Sequence, residues 1–390
     1  MKDCKMKLLF CCYGLGIGGI EKCLVNLVNA LPVDRYDVDI LLMNPEYDFR
    51  DQIRRPVRFL EMFDYIANVH DTMLEIRRRG GIFRNPCLTF RWCLFRLELK
   101  FGRKPWRWFR PLPKRYDVAV AYSHNDLSPY YVIDKVQADR KVFWYHNGAY
   151  ESTGWRYERD SRYYPRFDYI VAVSSDCADV LQERFEFESG RLITLRNICD
   201  ANAIRARAGV FVPDSFKEGQ FHIVTVGRMT EEKGAHLAVE ACRKLREWDY
   251  NVCWHWVGDG NQRDTILETV AQNGLRDYFV LEGDQENPYP YIQNAHVYVQ
   301  PSHYEAYSTT VTEAKVLQRP IVVTDVGGMR DQLTNGENGL IVPIQAQALA
   351  GAVRVLLDNK KMRCGFAAAL ENEDFSPAHT IQKYERTVFL

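Results

Sequence analysis

The chain has 390 residues, of which 26% are charged and 46% apolar, and its 51 lysines and arginines balance its 51 acidic residues. At about 150 residues per domain, this length predicts two or three domains, and the composition excludes a disordered chain or a small disulfide scaffold. The net charge of zero gives no global preference for nucleic acid.

The N-terminal stretch combines features of a leader peptide and of a nucleotide-binding fold. Three lysines precede the apolar run Leu8–Ile20, as in a signal peptide, but the run contains four glycines and no A-x-A cleavage site follows it. A short strand over Leu8–Cys12, a helix over Glu21–Leu31 and a strand over Val38–Met43 are predicted instead. This order is the opening of a doubly wound α/β domain.

The loop between the first strand and helix, residues 14–19, matches G-x-G-x-x-G. Glycines let the backbone approach a phosphate, and the helix N-terminus offers N–H groups that have no partner within the helix. A tight turn without a ligand would have the same sequence. The motif alone suggests NAD, but a dinucleotide site also needs an acid after the second strand, where Glu46 is only a loose candidate.

Three more buried strands are predicted in the first half, over Val118–Tyr122, Lys141–Tyr145 and Tyr169–Val173. Each strand ends in polar residues, and ligands in such folds bind at the carboxyl ends of the strands. These polar clusters are Ser123-His124-Asn125, His146-Asn147 and Ser174-Ser175-Asp176. Within them, His124 and Asn147 are candidate acceptor-binding residues.

The pattern restarts after residues 200–220, which are polar, contain glycine and proline, and fit a linker. A helix is predicted from His236 to about Trp248. The predicted strands are His222–Val226, Val252–Val257, Tyr278–Leu281, Val297–Gln300 and Ile321–Thr324. We therefore expect an α/β domain over 1–200, a second over 201–370, a helical segment over 371–390 that returns to the first, and a ligand cleft between the domains.

Two loops of the second half carry charged residues that fit a phosphorylated ligand. Arg228 and Lys233 place two cations on one loop after a strand, as a polyanion requires, although a solvated turn would have the same residues. Glu305 follows the strand that ends at Gln300, and Glu313 is expected about two turns into the next helix. One glutamate can bind sugar hydroxyls and the other a ribose, or both can be ordinary surface acids.

Taken in order, Gly18-Gly19, the loop Gly227-Arg228 to Lys233-Gly234, and Glu305-x7-Glu313 resemble glycosyltransferase family 4. The resemblance covers essentially the whole chain. It implies the α/β fold called GT-B, in which two Rossmann-like domains face each other across a cleft. It also implies a retaining transferase that uses a nucleotide-sugar and requires no metal or other cofactor.

The same resemblance implies the roles of individual residues. Arg228 and Lys233 would hold the donor diphosphate, which Gly18-Gly19 would reach from the first domain. Glu305 would bind the donor sugar and Glu313 the nucleotide ribose. The remaining residues of the expected site are His146, similar to the family histidine beside the transferred sugar, and the donor-binding Gly227, Tyr307, Ser308 and Thr309.

Two sequence features qualify this interpretation. The family commonly has Glu-Gly-Phe-Gly where this chain has Glu305-Ala306-Tyr307-Ser308, which leaves the identity of the donor sugar open. Asp37-Val38-Asp39 matches the D-x-D pattern of metal sites, but it lies at the start of a strand and not at its carboxyl end. We therefore interpret the two aspartates as the solvent-facing residues of an alternating strand.

Residues 75–115 form a basic, aromatic segment, with 13 lysines and arginines, two acids and eight phenylalanines and tryptophans. This composition fits an anionic membrane surface or a lipid-linked acceptor. A helical insertion of about 70–115, packed on the first domain with solvated arginines, is the alternative. Nucleic acid would use the same residue types, but nothing else in the sequence favours it.

The sequence therefore predicts a bacterial, cytoplasmic enzyme of surface polysaccharide synthesis, with peripheral attachment to the inner face of the cell membrane left open. Its 11 cysteines contain no C-x-x-C pair, which favours free thiols in a reducing compartment. UDP-sugars are the favoured donors, with GDP-sugars as the alternative, and the acceptor is expected to be a glycan or lipid-linked saccharide. A non-catalytic partner subunit and an NAD-dependent oxidoreductase are the competing functions.

Overall fold

A computed structural model of the chain describes residues 5–16, 18–44, 47–61, 90, 93–94, 96–98, 101, 104–124 and 126–390. The chain divides into two compact units, which we call unit 1 (Met1–Ile198 with Ala378–Leu390) and unit 2 (Cys199–Pro377). The sequence predicts a domain border at residues 200–201, two residues beyond this division.

The described part of unit 1 contains a seven-stranded parallel sheet in the order β3-β2-β1-β4-β5-β6-β7. Its strands are β1 (Met6–Cys12), β2 (Tyr36–Leu42), β3 (Arg58–Glu61), β4 (Arg115–Ala121), β5 (Gln137–Tyr145), β6 (Tyr169–Ala172) and β7 (Leu192–Thr194). The helices between them are α1 (Gly19–Ala30), α2 (Ser128–Lys135), α3 (Gly154–Tyr163) and α4 (Ser175–Arg184). Short 3₁₀ turns cover Arg50–Gln52, Pro105–Trp108 and Tyr164–Arg166.

Unit 2 contains a six-stranded parallel sheet in the order β10-β9-β8-β11-β12-β13. Its strands are β8 (Phe221–Val226), β9 (Val252–Val257), β10 (Phe279–Gly283), β11 (Val297–Gln300), β12 (Ile321–Thr324) and β13 (Leu340–Val342). Its helices are α5 (Ala201–Ala208), α6 (Ala235–Glu247), α7 (Arg263–Gln272), α8 (Tyr289–Asn294), α9 (Thr309–Val316), α10 (Ala346–Asp358) and α11 (Lys360–Glu371). Helix α12 (Pro377–Tyr384) begins at the border and leads back into unit 1.

These sheets confirm the predicted doubly wound α/β architecture. The central strands are continuous apolar runs because helices cover both faces of a parallel sheet, and all six residues of β9 are buried. The sequence does not reveal β3, β7 and β13, which have only three or four residues each. Such short runs of apolar residues give no periodicity to detect.

The predicted linker, residues 200–220, is wrong over its first part, where the chain forms α5. Asp200 caps this helix, because its Oδ1 accepts a hydrogen bond of 2.9 Å from the Ala203 amide. Ala201, Ile204 and Ala208 are buried along one face of α5. The helix therefore belongs to the core of unit 2, although its sequence is polar overall.

The predicted solvent exposure of the D-x-D sequence is wrong for its second aspartate. Asp37 is exposed, but Asp39 is buried in β2. The Asp39 carboxylate accepts hydrogen bonds from Arg58 (2.5 Å), Tyr116 (2.7 Å) and Lys114 (3.1 Å). These donors outweigh the effect of burial and hold the pKa of Asp39 below its usual range. Asp39 is therefore part of a structural ion-pair network.

The C-terminal residues pack on unit 1 through buried polar contacts. Glu385 accepts a hydrogen bond of 2.8 Å from the Tyr36 hydroxyl and forms an ion pair with Arg35 at 3.0 Å. The Tyr384 ring lies 5.1 Å from that of Trp144 in β5. These contacts tie the end of the chain to the sheet of unit 1.

Most of the basic, aromatic segment at 75–115 lies outside the described residues, as does Glu46. Of its described part, residues 90, 93–94 and 96–98 are helical. Within the described portion of the chain, no helix is both long and apolar enough to cross a bilayer.

Candidate functional site

In each unit, the order of the strands reverses between two neighbours, and the loops that follow those strands are where such folds bind ligands. The reversal lies between β1 and β4 in unit 1 and between β8 and β11 in unit 2. In unit 2, the loop after β8 carries Arg228 and Lys233, and the loop after β11 carries Glu305. The topology thus brings the charged loops predicted from the sequence to one edge of the sheet.

The loop after β8 is held in a compact form by its backbone. Gly227 donates to the carbonyl of Val257 at 2.9 Å, and Met229 donates to that of Asp259 at 2.8 Å. The loop ends at Gly234 with a φ of 73°, and a Cβ there would lie 2.0 Å from the Pro301 carbonyl oxygen. Only glycine fits this close, left-handed turn, which seats Lys233 beside the end of β11.

Lys233 and Glu305 form a direct ion pair. The Lys233 Nζ lies 2.6 Å from Glu305 Oε1, and Glu305 is buried. A Cβ added at Gly227 would lie 3.9 Å from the Lys233 side chain, so Gly227 borders the same site. The structure therefore brings Glu305 into contact with the loop of Gly227 and Lys233, which the sequence predicts as a separate motif.

Arg228 belongs to the same loop but not to this buried pair. Its side chain is 71% exposed and forms a long ion pair of 3.8 Å with Glu232. A surface pair at this distance contributes little to stability. The guanidinium can therefore turn toward a ligand at little cost.

The loop after β11, which carries Glu305, leads into the first turn of α9. Ser308 caps the helix, because its Oγ accepts from the Val311 amide at 3.4 Å, while its own amide donates to Gln332. The amides of Thr309 and Thr310 have no recorded acceptor among the described residues. Together with the helix dipole, they offer N–H donors to an anion. Tyr307, which directly precedes this turn, is half-buried.

Glu313 is the fifth residue of α9, so it lies just over one turn into the helix and not the two turns expected. Its side chain is buried, with 3% exposure. The difference arises because the helix starts at Thr309, after the Ser308 cap.

In unit 1, the glycine loop leads into α1 as predicted. Gly18 is the N-cap in an extended conformation and Gly19 is the first helical residue. A Cβ at Gly18 would lie 2.2 Å from a carboxylate oxygen of Glu21. An acidic side chain therefore lies over the glycine at which the resemblance implies diphosphate contact.

His124 and His146 follow the adjacent strands β4 and β5. Burial lowers the pKa of His146 to about 3, and the nearby His124 lowers it further. Burial lowers the pKa of His124 to about 4, and the positive charge of Arg156 adds to that shift. Within the described residues, neither ring nitrogen of His124 nor Nε2 of His146 has a hydrogen-bond partner. Both rings are therefore neutral at pH 7 and can accept or donate one hydrogen bond to a ligand. The neighbouring Asn147 is half-buried.

We expect the neutral burial of His124 to make unit 1 sensitive to acid. Between pH 6.5 and about 4 the unfolded chain binds a proton that the folded chain does not, so stability falls by about 1.4 kcal/mol per pH unit for this residue. Replacement of His124 by Phe should reduce the pH dependence of the unfolding free energy by about this amount. Urea unfolding at pH 4.5 to 7 measures it, and equal slopes in both proteins would contradict the assignment.

Sequence reasoning missed Gln300 and Ser302, which contact Glu305. Ser302 Oγ donates to Glu305 Oε1 at 2.9 Å, and Gln300 Nε2 lies 3.4 Å from the same oxygen. The available signal was a glutamine that ends a buried strand, where polar residues are unusual.

Comparison with known families agrees with this geometry. The family described as Glycosyltransferase Family 4 matches residues 17–202, and the one described as Glycosyl transferases group 1 matches residues 211–371. Among curated relatives, Mycobacterium tuberculosis glycogen synthase is 27% identical over 195 residues, which are 49% of this chain and 46% of the relative. A Campylobacter jejuni N-acetylgalactosaminyltransferase that acts on a diphospho-undecaprenol saccharide is 25% identical over 51% of this chain and 53% of its own. The chain thus spans about half the length of the curated relatives it matches.

Solved structures share the fold over nearly the whole chain. Anabaena HepE in complex with UDP has a TM-score of 0.72 at 16% identity and covers 98% of this chain and 99% of its own. A glycosyltransferase from Rickettsia africae has a TM-score of 0.71 at 14% identity and covers 98% of both chains. With both halves matched by glycosyltransferase families and both sheets built as in these neighbours, the chain belongs to the family 4 glycosyltransferases of the GT-B fold.

Proposed function

We propose that the chain transfers a sugar from a nucleoside diphosphate sugar to a glycan or lipid-linked saccharide, with retention of the anomeric configuration. UDP is the favoured nucleotide. The observation that carries the proposal is the Lys233–Glu305 pair at the strand reversal of unit 2, since it joins a cation for a diphosphate to a carboxylate for a sugar. The named relatives, a glycogen synthase and a glycan transferase, support the acceptor class, and UDP-bound HepE supports the nucleotide.

The donor diphosphate would be held by Lys233, Arg228 and the first turn of α9. An ammonium group has three N–H donors, and the Lys233–Glu305 contact uses one of them. The Thr309 and Thr310 amides add donors that the described protein does not use. As the bond between the anomeric carbon and the diphosphate oxygen breaks, negative charge grows on the diphosphate, and these cations and amides would stabilise it.

The donor sugar would be bound through the other oxygen of Glu305. Every recorded hydrogen bond to this carboxylate within the described chain goes to Oε1, from Lys233, Ser302 and Gln300. Oε2 therefore retains its lone pairs for sugar hydroxyls. The ribose would be bound by Glu313, in the same helix that supplies the phosphate-binding amides.

The acceptor would be bound in unit 1, at the ends of β4 and β5. The acceptor oxygen would bond to the anomeric carbon as the bond to the diphosphate oxygen breaks, and the hydroxyl proton would pass to the departing diphosphate. The neutral rings of His124 and His146 can take hydrogen bonds from hydroxyl groups, and Asn147 adds an amide beside them. These residue types suit a saccharide, which presents many hydroxyls.

We propose that transfer requires no metal ion. The D-x-D aspartate Asp39 is held by Arg58, Lys114 and Tyr116, and two cations of unit 2 can neutralise the diphosphate instead. Turnover should remain within about twofold of its original rate after EDTA treatment, because the cations that would neutralise the diphosphate are side chains of the protein, which a chelator does not remove. Abolition of turnover by EDTA with rescue by Mn²⁺ would contradict the proposal.

We also propose an anionic membrane surface as a partner of unit 1. Phe90, Leu94, Leu97 and Phe101 have spacings of one helical face, yet they are 37% to 67% exposed. Glu98, by contrast, is buried and paired with Arg107 at 2.7 Å. An apolar face turned to solvent within a strongly basic segment suits insertion at lipid headgroups.

Replacement of Phe90, Leu94, Leu97 and Phe101 by Ser should weaken binding to phosphatidylglycerol vesicles by about tenfold or more, because each large apolar side chain contributes 1.5–3 kcal/mol when buried. Co-sedimentation measures the bound fraction. Replacement of Leu267 and Val355, exposed apolar residues of unit 2, by Ser is the control and should leave binding unchanged. Wild-type protein that stays in the supernatant at low salt would contradict the partner.

A thermal-shift screen against UDP, GDP, ADP and NAD tests the proposed donor class, because a ligand that binds the native state raises its apparent stability. We expect UDP to raise the unfolding temperature of unit 2 and NAD to have no effect. Stabilisation by NAD alone would instead support an oxidoreductase.

A further inference from the structure

Gln300 is a buried glutamine at the carboxyl end of β11, with 1% exposure. Its side-chain oxygen accepts hydrogen bonds from the Tyr298 hydroxyl at 2.7 Å and from Thr310 Oγ1 at 3.2 Å. Its nitrogen donates to Ser302 Oγ at 3.0 Å and faces Glu305 Oε1 at 3.4 Å. All four hydrogen-bonding positions of the amide are therefore used.

These partners fix which way the amide points. Glu305 can only accept, so the nitrogen must face it, and the Tyr298 hydroxyl donates to the oxygen on the other side. The Ser302 hydroxyl accepts a hydrogen bond from Gln300 and donates one to Glu305 Oε1 at 2.9 Å. Gln300 and Ser302 thus direct two hydrogen-bond donors at Oε1, and no described residue donates to the other carboxylate oxygen.

The same amide reaches the first turn of α9 through Thr310. It therefore links the carboxylate of Glu305 to the helix start whose amides are offered to an anion. A Cβ at Gly227 would lie 3.9 Å from Gln300 Nε2, so the glutamine also borders the loop that carries Lys233. One buried side chain contacts or borders three parts of the candidate site.

We propose that Gln300 is a positioning residue that orients Glu305 toward the donor sugar and holds the first turn of α9 in register with it. The inference rests on the proposed function and adds a determinant of sugar transfer that does not itself touch the donor. A hydrogen bond from a buried N–H group to a carboxylate is strong in a low-dielectric site. We therefore expect its loss to misplace Glu305 and to reduce sugar transfer.

The test compares Gln300→Leu and Gln300→Glu with wild type, with Thr225→Val as a matched control. Thr225 is also buried, and its hydroxyl donates to the Val299 carbonyl at 2.8 Å in the same sheet without contacting Glu305. Turnover and KM are measured with UDP-sugars as the donor probes, and the affinity for free UDP is measured by calorimetry.

Gln300→Leu should reduce kcat/KM about 10- to 100-fold, the scale of a lost hydrogen bond to a charged group, with UDP affinity within about threefold. Gln300→Glu should be impaired at neutral pH and recover as the pH falls, because a protonated carboxyl can donate to Glu305 as the amide does while two carboxylates repel each other. Thr225→Val should lose stability without any change in turnover.

If the wild type transfers sugar and the kcat/KM of Gln300→Leu is within twofold of the wild-type value, Gln300 does not have this role. The proposed function would still stand. A Gln300→Glu protein with the pH profile of wild type would lead to the same conclusion, since a merely structural glutamine predicts no acid recovery. Absence of sugar transfer in the wild type itself would instead contradict the proposed function, and the inference with it.

Discussion

Replacement of Lys233 by Ala is expected to reduce sugar transfer about 30- to 1000-fold, which corresponds to a loss of about 2–4 kcal/mol of transition-state stabilisation. Lys233 forms an ion pair with Glu305, the glutamate proposed to bind the sugar, with its Nζ 2.6 Å from Oε1. Its removal takes away charge at the diphosphate and one of the three donors that orient Glu305. Steady-state turnover at saturating donor measures the effect.

Arg228→Ala should reduce sugar transfer by a similar factor without loss of stability, because the Arg228 side chain is mostly exposed. Lys361→Ala provides a control, since Lys361 is an exposed lysine of α11 in the same unit. If both Lys233→Ala and Arg228→Ala keep near wild-type turnover, the diphosphate is bound elsewhere.

The two glutamates are expected to separate nucleotide binding from sugar transfer. Glu305→Ala should reduce transfer by about 100-fold or more, on the scale of a lost transition-state contact, yet leave the affinity for free UDP within about threefold. Its partner in the proposal is the sugar, which free UDP lacks. The loss of Glu305 also leaves all N–H donors of Lys233 to the diphosphate.

Glu313→Ala should weaken free UDP binding by about 10- to 100-fold, the scale of a hydrogen bond to a charged group. Calorimetry with UDP on the two variants decides the assignment. An equal loss of affinity in both would contradict the separate roles of sugar-binding and ribose-binding glutamate.

The sequence predicts the strands of this fold well because buried parallel strands are apolar runs that end at polar residues. The strands Val252–Val257, Val297–Gln300 and Ile321–Thr324 have the bounds expected from that pattern. Helix α5 was not predicted, since its alanines and arginines give little contrast between faces and its stability depends on the Asp200 cap and burial in unit 2.

Side-chain partners distant in sequence could not be predicted. The burial of Asp39 depends on Lys114 and Tyr116, which are 75 and 77 positions away. Likewise, the sequence predicts that Lys233 and Glu305 each lie near the end of a strand. It does not predict their contact, because they are 72 positions apart in the chain. The hydrogen bonds of Gln300 depend on which way its side-chain amide points, and no sequence pattern specifies that direction.

The central claim is tested most directly by measuring the release of nucleoside diphosphate from a panel of UDP- and GDP-sugars. Wild type and Lys233→Ala are compared side by side in the presence of EDTA. We expect wild-type protein to release UDP from at least one UDP-sugar, and Lys233→Ala to release it about 30-fold more slowly or worse. Release from no donor in the panel, or equal release by both proteins, would contradict a transferase that works through the Lys233–Glu305 site.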